Sequence, residues 1–183
     1  FSSNSAVTLG GGIFNNINST LTLGDTILTV GVTGANLVNA SGTAISRGYN
    51  LSSDNGDGFL AAVGDQINTD PMLGPLQDNG GPTPTIMPLP GSPAIDQGKN
   101  LSGLATDQRG RCRIYDDPGI TNAVGGDGSD IGAVEVALRT TVVTTNSDGF
   151  AGATLRCCLC DSQNGDTIAF APAVTGAVTL ANG

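Results

Sequence analysis

Over the first 70 residues, apolar and small polar side chains alternate in short bursts, as in Leu21-Thr22-Leu23 and Thr26-Ile27-Leu28-Thr29-Val30. Glycine and asparagine separate the bursts, in "AVTLGGGIFNN", "STLTLGDTILTVG" and "ANLVNASGTAISRGYNLSS". Period-two alternation bounded by such turn residues predicts short half-buried strands. The bursts return roughly every twenty residues, the spacing of chains that wind into stacked coils sharing one core.

The pattern then breaks. Between Asp78 and Gly98 lie five prolines and four glycines, with Ile86, Met87, Leu89, Ala94 and Ile95 among them. Proline at that density excludes a regular helix or a central strand. Such a stretch fits a lid over the end of a stack, because proline cannot template a further strand. Ile86, Met87, Leu89 and Ile95 are its expected apolar plugs. "FLAAVGDQ" reads as one helical turn or a short strand, and the last six residues of "GDGSDIGAVEV" read as a strand. Near residue 138 the character changes. "RTTVVTTNSDG" predicts a strand, "AGATLRCCLCDSQNG" a short helix, and "DTIAFAPAVTGAVTLANG" two strands. Three segments result: coils over 1–70, an irregular cap over 71–137, and a new start over 138–183.

Composition agrees with an all-β chain. Of 183 residues 28 are glycine, charged residues make up 13%, and helix formers are scarce. The formal net charge of −9 disfavours nucleic acid and anionic membrane surfaces as partners. No apolar run is long enough to span a bilayer. The absence of histidine removes the commonest general base and every His-dependent triad. Any enzymatic chemistry would have to use carboxylates, a thiol or an oxygen-bound metal. Phe1 is not an initiator methionine, so a processed product or a piece of a longer protein is expected.

"GGGIFNN" followed by "TLTLGDTIL" resembles the coil pattern of bacterial surface parallel β-helix proteins, including polymorphic outer-membrane-type repeats. "GYNLSSDNGDGF", "NTDPMLGPLQDNGGPTPTIMPLPGSPAIDQG", "TDQRG" and "GDGSDIGAVE" occur in that order and resemble the C-terminal region of choice-of-anchor Q domain proteins. Residues 141–183 are similar to the start of such β-helices, the region named for its CSLREA motif, with Cys157-Cys158-Leu159-Cys160 in place of the usual residues. The resemblance implies a right-handed parallel β-helix with an irregular Pro/Gly-rich cap, then a strand–helix–strand segment that begins a second β-helix. An end followed by a beginning implies either a slice of a tandem array or a subunit that continues into the next copy.

Candidate residues follow. Cys112, Cys157, Cys158 and Cys160 form a disulfide set in the oxidising reading. An all-cysteine zinc site and buried reduced thiols are the alternatives. Asp107, Arg109, Asp130 and Glu135 read as ion pairs pinning the cap, ahead of acid/base glycoside chemistry. Asp127 and Asp130 are the calcium candidates, in loops that fit no established calcium pattern, and no other cofactor is implied. Sequons begin at Asn18, Asn39, Asn50 and Asn100, and Asn15 and Asn16 are expected to ladder along a stack. The expected role is non-enzymatic: a secreted or cell-surface structural protein, fibre or adhesin, whose partners are copies of itself joined head to tail and, secondarily, surface glycans. A carbohydrate-binding or polysaccharide-degrading module is the rival. Tryptophan is absent and aromatic residues make up 4%, little for stacking sugars.

Overall fold

A computed structural model describes residues 1–7, 10–137, 140–147, 154, 155, 159, 162 and 166–180. The chain divides into two compact units, Phe1–Val136 and Ala137–Gly183.

In the first unit three consecutive strands are each repeated one turn later. β1 (Ile13–Asn15), β2 (Thr20–Leu23) and β3 (Ile27–Leu28) pair in parallel with β4 (Leu37–Asn39), β5 (Thr43–Ser46) and β6 (Leu51–Ser52). The alternation sends Leu23, Leu28 and Leu37 inward, where they pack with Leu60 and the partly buried Ile13 and Leu21. Asn15 lies in register with Asn39 and donates to its Oδ1 at 2.7 Å. Asn16 makes no such ladder; its Oδ1 accepts from the N–H of Ile17.

The expectation of a parallel β-helix is overturned. Among the described residues every sheet is two-stranded, none closes or continues as a solenoid, and most of those residues lie outside strands and helices. The cause is visible at the ends of β4 and β6. Side chains take the N–H groups that a third strand would need: Asp54 accepts from Asn36, Asp57 from Asn39 and Asp65 from Asn50, at 2.7, 2.7 and 2.9 Å. A 3-10 turn, Gly56–Gly58, packs against β4, and beyond β6 the backbone pairs only as an isolated bridge, Leu51 to Gln66, in which Ser52 N–H donates to the Gln66 carbonyl and Gln66 N–H to that of Asn50.

Beyond it the chain is irregular. β7 (Leu73–Gln77) and β8 (Thr85–Pro88) form an antiparallel hairpin whose register shifts between Leu73 and Leu76, where Pro75 removes a donor. The proline-rich stretch therefore contributes one edge strand. Of the four expected plugs Ile95 is buried, Ile86 and Met87 are partly buried, and Leu89 is exposed. Ala94 joins Leu51 and Ile131 in a second small core, backed by Ile27. "FLAAVGDQ" lies outside every strand and helix, as does the predicted strand at the end of "GDGSDIGAVEV", of whose six residues Ile131, Val134, Glu135 and Val136 are nevertheless buried.

The second unit holds one parallel pair, β9 (Thr140–Val143) with β10 (Thr167–Phe170). Residues 171–180 lie outside any strand, so "DTIAFAPAVTGAVTLANG" supplies one strand and not two among the described residues. The predicted helix falls largely outside the described residues.

Candidate functional site

Irregular backbone cannot satisfy its own polar groups, so something else must. In the first unit a buried cluster of carboxylates and guanidinium groups does so. It grows from the turn Thr106–Cys112, closed by an isolated antiparallel bridge and by Asp107 N–H donating to Arg111 at 2.7 Å. Gly110, at φ 84°, allows the reversal.

Asp107 Oδ1 accepts from the N–H groups of Arg109 and Arg111 at 2.8 and 3.1 Å. Its Oδ2 accepts from Arg109 Nε and Nη2 at 2.9 and 2.8 Å and from the N–H of Glu135 at 3.1 Å. Both side chains of this pair are 0% exposed. Arg109 Nη2 also donates to the Glu135 carbonyl at 2.6 Å.

Glu135 is the chain's single glutamate. Its Oε1 accepts from Tyr115 N–H at 2.8 Å, and its Oε2 from Asp130 N–H at 3.0 Å and Arg113 Nη1 at 2.8 Å. Asp130 answers reciprocally: Oδ2 accepts from Val136 N–H and Oδ1 from Asp96 N–H at 2.9 Å. Arg113 Nη2 reaches Asp25 Oδ2 at 2.5 Å and the carbonyls of Asp130 and Gly132 at 2.9 and 2.8 Å. Asp96 is fully buried; its Oδ2 accepts from Asp117 N–H at 3.2 Å, and its Oδ1 has no partner. Asp25 and Asp96 hold φ values of 53° and 56°, a left-handed conformation that costs a non-glycine residue about 1–3 kcal/mol.

Five carboxylates thus face two guanidinium groups, and the imbalance appears in their protonation. Burial works against the charge of Asp107, but the N–H of Glu135 and the Arg109 guanidinium outweigh it and hold its pKa below the usual range. Burial pushes Asp25 up to about 6 despite Arg113. Asp96 rises to about 6 through burial and the neighbouring Asp116 and Asp117. Asp130 rises to about 7, chiefly by burial. Burial and then the Asp130 charge push Glu135 to about 8, against its N–H donors and Arg113. The cluster therefore holds protons near neutral pH.

Two clefts, of about 460 and 410 Å³, flank the cluster and share Asp25, Gln108, Gly132 and Ala133. Apolar residues, among them Ile27, Leu73 and Ile86, line the larger; Arg113, Asp107, Leu101 and Leu104 reach the smaller. Asp25 is the one carboxylate that lines both.

The other candidates are dispersed. Asp127 Oδ1 accepts from Ser129 Oγ at 2.7 Å, and Asp127 also receives Asn100 N–H, while Asp130 belongs to the cluster. Among the described residues no group of three His, Cys, Asp or Glu side chains is placed to hold a metal ion. Cys112 is exposed and its thiol is free. Cys157, Cys158 and Cys160 lie outside the described residues. Asn50 is fully buried, donating to Ser46 and Asp65, and Asn39 and Asn100 donate to the carbonyls of Gly42 and Leu104. Asn18 is exposed.

Sequence reasoning missed Arg113, Asp25 and Asp96. One signal was available for the first. Of seven Lys and Arg residues, three stand at alternate positions, Arg109, Arg111 and Arg113, an unusual concentration in a chain so poor in cations. Nothing in "LGDTI" or "AIDQG" marks Asp25 or Asp96. Neither a family model, nor a curated protein, nor a solved structure matches this chain.

Proposed function

We propose that this protein is a non-enzymatic structural module of the cell surface or extracellular space, which holds a fixed shape and joins copies of itself in series. One observation carries the reading: the buried carboxylates serve the protein's own backbone. The buried Asp107, Asp130 and Glu135, and the partly buried Asp54 and Asp65, each accept at least two main-chain N–H groups. A carboxylate so engaged is held in place by the backbone, and the side chains of Asp107 and Asp130 are shut off from solvent. The acidic, lysine-poor composition supports a role outside nucleic-acid and membrane binding.

The rival, a module that binds or cleaves polysaccharide, is favoured by Asp25, which faces both clefts with a raised pKa. Cleavage by an inverting or retaining route needs a second carboxylate working with it across the bond. A depolymerisation assay over acidic and neutral polysaccharides decides. No turnover by the wild type is expected; turnover that disappears in Asp25→Asn overturns the structural reading.

A further inference from the structure

Strand edges in this chain are protected very unequally. At β4 Asp54 and Asp57 accept from Asn36 and Asn39 and a 3-10 turn packs against the strand, and at β6 Asp65 accepts from Asn50 while the Gln66 carbonyl accepts from Ser52. β3 is bonded on both sides: Leu51 and Ser53 donate to Thr26 and Leu28, while Phe1 exchanges bonds with Ile27 and Thr29 at 3.0 Å each. The outer edges of β1, β2 and β10 have no such cover among the described residues. Their sequences, IFN, TLTL and TIAF, contain neither charge nor proline, the usual deterrents to edge pairing.

β10 is related in sequence to β3. Gly24 to Ala35 reads "GDTILTVGVTGA", and Gly165 to Ala177 reads "GDTIAFAPAVTGA", the same motif with one residue added. In the first unit this motif makes a strand hydrogen-bonded on both sides; in the second, among the described residues, it makes a strand bonded on one. Ala171 N–H donates to Val143 at 2.9 Å, so Thr167 and Ala169 turn their polar groups toward β9, and Ile168 and Phe170 turn theirs outward. In β3 too the threonine and the residue after the isoleucine face the paired strand, so Ile168 matches Ile27, which bonds Phe1 on the opposite side. Val143 and Phe170 are paired and point to the same face, yet Val143 is 0% exposed and Phe170 is 50% exposed. An apolar face is cut off at its edge.

The geometry points to a second copy of this chain as the occupant: the outer edge of β10 pairs with the outer edge of β2 on the next molecule. That edge turns the backbone polar groups of Thr20 and Thr22 outward, because Ser19 and Leu23 accept from β5's side, and Phe14 and Ile17, just before it in the chain, are exposed at 43% and 62%. Two different edges make a heterologous contact, so addition does not close at a dimer. This inference gives the head-to-tail part of the proposed function its surface.

Proline at an outward position removes an edge donor and leaves the existing ladder intact. The full-length chain is compared with Ile168→Pro, Ile168→Lys and Thr22→Pro by sedimentation velocity and mass photometry over rising concentration, with circular dichroism as the check on folding. The wild type is expected to form a ladder of oligomers without a preferred size. Each variant alone is expected to remain monomeric. An equimolar mixture of Ile168→Pro and Thr22→Pro is expected to give a one-to-one dimer, because each supplies the edge the other lacks. A wild type that stays monomeric overturns the inference, as do oligomers indifferent to all three variants or a mixture that fails to dimerise. Indifferent oligomers leave the structural role standing on another surface, and only polysaccharide turnover removes that role.

Discussion

Replacing Arg113 by methionine tests the cluster directly. The guanidinium is 7% exposed, contacts Asp25 and Glu135, and donates to two carbonyls. Methionine keeps most of the apolar stem and removes the charge. Breaking a buried ion pair by removing one partner costs about 3–5 kcal/mol, because the other charge stays buried without compensation. At pH 8, close to where Glu135 titrates with Arg113 present, the loss should reach about 4 kcal/mol. At pH 5 Glu135 and Asp25, raised to about 8 and 6, already hold protons with the guanidinium in place, so the charge part of the loss disappears. What remains is the lost hydrogen bonds, about 1–2 kcal/mol. Urea unfolding followed by tyrosine fluorescence gives the answer. The chain has no tryptophan, and its two tyrosines, Tyr49 and Tyr115, both lie in the first unit, so the signal reports that unit alone. With a slope of about 2 kcal/mol per molar urea, the midpoint should fall by roughly 2 M at pH 8 and by well under 1 M at pH 5. A loss under about 1 kcal/mol at pH 8, or equal losses at both pH values, would refute the claim that Arg113 neutralises a charge-rich interior.

The wild type should itself lose stability between pH 5 and pH 8. Asp25, Asp96, Asp130 and Glu135 have folded pKa values raised to about 6, 6, 7 and 8, so the folded state binds more protons than the unfolded state in that window, and stability falls by about 1.4 kcal/mol per pH unit for each retained proton. Below about pH 4 the sign reverses, because Asp54, Asp107 and Asp127 have lowered values and lose their contribution as they protonate; a melting temperature that rises steadily from pH 5 to 8 contradicts this. Gly48→Ala should cost more than about 2 kcal/mol by thermal unfolding, since φ is 91° and a β-carbon would stand 2.3 Å from the Val63 carbonyl oxygen; a near-neutral result refutes that geometry. Expressed in a glycosylating host, the folded product should carry glycan at Asn18 and none at Asn50, read by glycopeptide mass spectrometry.

The strands of the first turns are legible because Leu21, Leu23, Ile27 and Leu28 declare a buried face by alternation alone. The same pattern cannot say how many turns follow. That depends on single acceptors such as Asp54, Asp57 and Asp65, which a periodicity reading takes for loop residues. Asp107, Arg109, Asp130 and Glu135 stand out as charges in a charge-poor chain, and the structure brings them together. Arg113, the group that bridges Glu135 to Asp25, lies 88 positions from the latter, and no local signal connects them. The failed strand over "GAVEV" has the same origin: its burial is real, but Asp130, Asp107 and Glu135 side chains replace the partner strand that burial of β-like sequence usually implies.

Carboxylates that stand in for a β-ladder change which mutations the molecule tolerates. In an ordinary sheet the backbone holds the pattern, and an aspartate-to-asparagine exchange is nearly silent. Here that exchange keeps the shape but turns one acceptor oxygen into an N–H₂ group facing other donors. At Asp107 either orientation of the amide leaves at least two N–H groups opposed. The smallest chemical edit available to the chain should therefore do more damage than many bulkier changes among its leucines, and the genetic variation that such a protein can accumulate is confined to its apolar positions and its exposed surface.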